Sequence, residues 1–138
     1  MRRMLPAFIV LAAFVALAGC RSLNSISDAD VAGTPTVYAK VVNAPNPLFM
    51  GHWRRIPPAE INKPWIFDYS LVKKGDKYAV YYFYDSRKKN SFAGWADFTL
   101  DGDTMTSGVD GVMFKVKGGE VIMFYPGRSD EYKMQKVD

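Results

Sequence analysis

From Phe49 onward the chain alternates apolar and polar residues with a period of two, and short glycine-rich or charged breaks cut the alternation into runs of strand length. Trp65, Phe67, Tyr69 and Leu71 share one face of the run Trp65 to Val72, with Asp68 and Ser70 on the other. Lys73-Lys74-Gly75-Asp76 turns the chain into a run from Tyr78 to Tyr84, and Asp85 to Asn90 is a polar loop. Phe92, Ala96, Phe98 and Leu100 then line one face of a run opposite Asp97 and Thr99. Asp101-Gly102 is a hairpin signal, because glycine accepts the positive φ of a two-residue turn. Thr104 to Ser107 returns, Gly108 to Gly111 turns, and Val112, Phe114 and Val116 face away from Lys115 and Lys117. Gly118-Gly119 is a further tight turn, Val121 to Tyr125 a further run, Pro126-Gly127 a break, and Tyr132 to Val137 the last run.

This succession predicts an all-β fold: an antiparallel up-and-down meander of seven or eight strands, closed into a small barrel that leaves no bare edge. A flattened sandwich and an open sheet satisfy the same pattern. Ala79 to Tyr84 and Val121 to Tyr125 are apolar or aromatic on both faces, whereas a strand covered on one side alone should alternate. Their outer side is covered by the arm carrying Val37, Tyr38, Val41 and Val42, covered by a protein partner, or left with tyrosine hydroxyls in water. That arm is either a strand or a segment lying on the domain, since Pro45 and Pro47 soon interrupt it. Residues 21 to 34 read as a flexible tether, with a weak signal for a short helix around Ile26 to Ala32.

The amino-terminal stretch obeys a different pattern. Arg2 and Arg3 precede an apolar run of 14 residues, Leu5 to Ala18, too short for a bilayer that needs about 20. It ends in Leu17-Ala18-Gly19-Cys20, which resembles the lipobox of bacterial lipoproteins. The resemblance implies lipidation of Cys20, cleavage before it, and a membrane anchor of two or three acyl chains. Cys20 is the chain's one cysteine, so no disulfide competes for its thiol. In that family an Asp directly after the cysteine favours inner-membrane retention; Arg21 and Ser22 stand here, which implies the outer membrane, facing the periplasm. The expected organisation is a signal peptide over 1–19, a lipidated amino terminus, tether and arm over 20–48, and a β-barrel over 49–138.

Composition sharpens this picture. Removing 19 of the 138 residues leaves 119, enough for one compact domain. The 18 basic residues lose Arg2 and Arg3, leaving 16 against 14 acidic, so the formal charge falls from +4 to +2 and gives no reason to expect nucleic-acid binding. Nine Phe, eight Tyr and three Trp supply the core in place of disulfides. The basic clusters Arg54-Arg55 and Arg87-Lys88-Lys89 read as solvated strand ends or loops, or as contacts to anionic envelope material.

Gly51-His52-Trp53 stands where the first barrel strand should begin, and it resembles the Gly-x-Trp signature of lipocalins. The resemblance implies a barrel with a Trp plug at one end, a late Arg packed over that Trp, and a cavity for an apolar small molecule. Arg128 is placed to be that Arg, and a guanidinium over an indole is favourable. The ligand-contacting candidates are then Trp53, Trp65, Phe67, Tyr69, Tyr82, Phe98 and Phe114, with Arg87, Lys88 and Lys89 as candidates for surface contact. The chain departs from the family at a late turn, where Gly118-Gly119 replaces the Thr-Asp-Tyr motif.

Catalytic chemistry finds few of its parts. His52 is the one histidine, so any nucleophile activated by histidine must be built around it. A zinc site lacks ligands, and no cofactor is expected. Asp101-Gly102-Asp103 opens like a calcium loop, but Thr106 and Val112 stand where such a loop needs Gly and Glu. Asp68 and Asp97 are a conceivable acid and base pair, and outward-facing strand carboxylates explain them more simply. The expectation is a lipid-anchored envelope protein, not an enzyme, whose barrel binds an apolar ligand or an envelope protein; the alternative is a protein inhibitor or assembly factor.

Overall fold

The computed structural model describes residues 26–56, 66–85 and 91–137. Among them, α1 (Asp28–Ala32) precedes ten strands: β1 (Lys40–Asn43), β2 (Gly51–Arg55), β3 (Ile66–Lys74), β4 (Lys77–Asp85), β5 (Ser91–Ala96), β6 (Phe98–Asp101), β7 (Thr104–Ser107), β8 (Met113–Lys117), β9 (Glu120–Phe124) and β10 (Glu131–Val137). They form one curled mixed sheet in the order β1-β6-β7-β8-β9-β10-β2-β3-β4-β5. The lipobox with Cys20, Trp65, and Arg87, Lys88 and Lys89 lie outside the described residues.

The all-β class holds, but the clean meander of seven or eight strands does not, for three reasons. The run Phe92 to Leu100 changes partners at Asp97: β5 pairs with β4, β6 pairs with β7, and the Asp97 carbonyl accepts the Gly108 N–H at 2.7 Å. Side-chain alternation continues through this break, with Phe92, Ala96, Phe98 and Leu100 all against the core, so periodicity could not reveal it. The arm is a strand, and it pairs in parallel with β6, Lys40 opposite Thr99. Finally, the described residues form ten strands, more than seven or eight, although β2 lies between β10 and β3 as the first strand of a closed meander would.

One residue separates β5 at one end of the sheet from β6 near the other, so the sheet must curl to bring its ends together. β10 makes a similar change of direction, its first residues pairing with β9 and its last with β2. The arm occupies the fork left at the β5–β6 break, where the Ala39 N–H donates to the Tyr78 carbonyl at 2.8 Å before β1 joins β6. All four residues of β1 are exposed.

Inside the curl, β2 to β10 contribute to one core that includes Phe49, Trp53, Phe67, Tyr69, Tyr82, Phe98 and Phe114. The hairpins follow the glycine signals. Gly118 and Gly119 form the β8–β9 turn at φ 60° and 76°, conformations that an L side chain resists. Asp101 pairs with Thr104, which makes Gly102-Asp103 the β6–β7 turn, one residue later than the sequence signal.

Candidate functional site

Six of the seven proposed cavity residues are described, and all of them point into the core. Tyr69, Tyr82, Phe98 and Phe114 have no solvent exposure, and their rings pack on one another: Tyr69 to Phe114 at 5.0 Å, Tyr82 to Phe98 at 5.3 Å and Phe98 to Phe114 at 6.2 Å between centroids. Phe67 joins Tyr84 at 5.9 Å and Tyr125 at 6.1 Å. Such pairs add about 0.5–1.5 kcal/mol each beyond area burial. Two of the rings carry buried hydroxyls with dedicated acceptors. Tyr69 donates to the Phe49 carbonyl at 3.0 Å, and Tyr82 donates to Asp110 Oδ2 at 2.8 Å. Burial raises the pKa of both phenols, and the Asp110 carboxylate raises that of Tyr82 further.

Trp53 is buried, and its indole N–H donates to the Met50 carbonyl at 3.1 Å. The cation over it is not Arg128, whose guanidinium lies 5.8 Å from the Tyr125 ring. Lys136 stands 5.9 Å from the Trp53 ring instead, because β10 pairs antiparallel with β2 and sets Lys136 directly opposite Trp53. Phe49, which the sequence reading left aside, is fully buried beside this end of the core. It is carried by a 3-10 turn, Pro47–Phe49, whose cap Asn46 accepts the Leu48 N–H at 2.9 Å.

The outer face of β2 to β5 presents a different chemistry. Asp68 points out of the core and is nevertheless wholly buried. His52 Nε2 lies 2.8 Å from its Oδ2, and Arg54 donates from Nε and Nη2 at 3.1–3.2 Å. The register explains the cluster: Arg54 and Phe83 are the cross-strand neighbours of Asp68, and His52 stands opposite Ser70, two residues along the same face. Asp97 is exposed at the β5–β6 junction and does not meet Asp68. Beside this cluster, Tyr81 and Trp95 pack edge to face at 5.3 Å. Burial raises the Tyr81 pKa, and the Asp30 carboxylate of α1 contributes, so the amino-terminal segment passes near this face. The capping box of Ser27 and Asp30 holds that short helix.

Of the Arg54-Arg55 pair, Arg54 is half-solvated, but Arg55 alternates inward with Trp53 and is buried, which corrects the reading of a solvated cluster. Its guanidinium stacks 5.4 Å from the Phe67 ring and 5.0 Å from the Tyr132 ring. Desolvation lowers its pKa, while Tyr125 and Tyr132 act the other way. The aspartates of the calcium-like turn are engaged by the arm: Asn43 donates to Asp101 at 2.6 Å and Asn46 to Asp103 at 2.8 Å. Among the described residues no group of three or more His, Cys, Asp and Glu is placed to hold a metal ion. Comparison with family models, curated proteins and solved structures finds no match.

Proposed function

We propose that the chain is a lipid-anchored lipoprotein of the cell envelope, held through Cys20 at the outer membrane, whose curled β-domain binds a protein partner without transforming it. The observation that favours a partner over an apolar ligand is the mutual packing of Tyr69, Tyr82, Phe98 and Phe114, which occupy one another's faces in the core. The surface best suited to a partner is the outer face of β2 to β5. There Arg54, Tyr81 and Trp95 bring together three residue types that dominate binding hot spots. The lipobox motif Leu17-Ala18-Gly19-Cys20 supports the anchor. A function as inhibitor or assembly factor would use this same face.

Two measurements test this. Cells expressing the full chain are labelled with radioactive palmitate; label on the parent and none on Cys20→Ser is expected, and an unlabelled parent that partitions into the aqueous phase of a detergent separation would refute the anchor. The full chain is also titrated with a fluorescent fatty-acid probe. Saturable uptake abolished by Tyr82→Trp would return the binding site to the interior and overturn the partner reading.

A further inference from the structure

The lysines of this molecule are unevenly satisfied. On the outer face of β8 to β10, Lys115 and Lys117 reach Glu131, and Lys133 reaches Glu120. At the β3–β4 hairpin and the start of β1, Lys40, Lys73, Lys74 and Lys77 have no carboxylate partner among the described residues. Lys74 stands directly opposite Lys77 across the turn, a like-charge pair that weakens a hairpin. Asp76 is the one acid in that turn, and the nearby Asp101 and Asp103 are held by Asn43 and Asn46.

Apolar groups stand among these charges. Lys77 Nζ lies 5.1 Å from the Tyr38 ring, and Lys73 Nζ lies 5.6 Å from the Tyr78 ring. The Ala39–Tyr78 hydrogen bond ties the arm to this hairpin, and the chain then runs through Lys40 into Val41 and Val42. Tyr38, Val41 and Val42 are 38%, 44% and 54% exposed. Ammonium groups that lack a carboxylate partner among the described residues, set around exposed aliphatic and aromatic side chains, suit an interface with lipid headgroups on one side and acyl chains on the other.

We infer that the β3–β4 hairpin and β1 form a docking surface for an anionic lipid membrane, with Lys40, Lys73, Lys74 and Lys77 meeting the headgroups and Val41 and Val42 entering the interface. A purely anionic partner such as a polycarboxylate would satisfy the lysines but offers nothing to the two solvated valines, whereas an anionic membrane meets both. The contact is independent of the acyl anchor, so either can fail without the other. Each lysine near an anionic surface is worth roughly fivefold in partitioning, so replacing three should weaken it roughly a hundredfold.

The test is hydrogen exchange of the full chain on nanodiscs of phosphatidylglycerol and of phosphatidylcholine, repeated in the Cys20→Ser chain. Protection of residues 36–43 and 73–78 on the anionic discs alone is expected. It should vanish in about 0.5 M NaCl, where the screening length is roughly 4 Å. It should also be lost in Lys73→Ala/Lys74→Ala/Lys77→Ala and kept when the same three lysines become arginine. Equal exchange on both lipids would overturn the inference, as would protection by polyglutamate without protection by anionic discs. Palmitate labelling reports separately on the anchor.

Discussion

Replacing Arg54 by methionine isolates the energetics of the buried Asp68. The carboxylate has no solvent exposure and three Arg54 contacts at 3.1–3.2 Å, whereas the Arg54 side chain is itself 38% exposed. Stripping one partner from a fully buried ion pair costs about 3–5 kcal/mol. Here the guanidinium is partly solvated and His52 remains 2.8 Å away, so a loss of about 1–3 kcal/mol is expected. Asp68→Leu should cost little, because Arg54 is free to turn into water and leucine packs beside Phe83. The double variant Arg54→Met/Asp68→Leu should then lie within about 1 kcal/mol of the parent, since an apolar replacement of both partners removes desolvation and attraction together. Urea unfolding followed by tryptophan fluorescence and by circular dichroism measures all four proteins. An Arg54→Met loss below about 0.5 kcal/mol, or a double variant whose loss equals the Arg54→Met and Asp68→Leu losses added together, would refute the view that Asp68 depends on Arg54.

Alkaline pH and one glycine give two further tests. Tyr69, Tyr82 and Tyr125 are held protonated by burial, Tyr125 with its pKa pushed up to about 12, against about 10 in the unfolded chain. A raised pKa means stability intact below pH 10 and lost as the pH climbs through 10 to 12, by up to about 1.4 kcal/mol per pH unit for each tyrosine. Urea midpoints at pH 8 to 12 measure this; a midpoint unchanged to pH 12 would contradict it. Gly108→Ala would place a Cβ 2.9 Å from Asp97 Oδ2 and 3.1 Å from the Asp97 carbonyl oxygen. The carboxylate can swing aside but the hydrogen-bonded carbonyl cannot, so a loss of about 1–3 kcal/mol is expected in the same melts.

Much of the fold was legible because its signals are local. Period-two alternation assigned Phe67, Tyr69, Phe98, Leu100 and Phe114 to the core, and the paired glycines at 118 and 119 marked a turn whose positive φ only glycine adopts cheaply. The same locality explains the errors. A strand that changes partner at Asp97 while keeping its alternation looks continuous in sequence. A cation facing Trp53 from β10 is named by register, so it is Lys136 and not Arg128.

Alone, then, the sequence determined the secondary-structure class, the inward and outward sides of most strands, and the lipobox pattern on which the proposed anchor stands. Only the tertiary structure decided which strands became neighbours, that the arm is a parallel strand filling a fork, and that Asp68 and Arg55 are buried while Lys73, Lys74 and Lys77 have no carboxylate partner among the described residues. The physical reason is range. Alternation and turn conformation depend on residues a few places apart, whereas burial and charge compensation depend on partners up to tens of residues away, brought together only when the sheet curls.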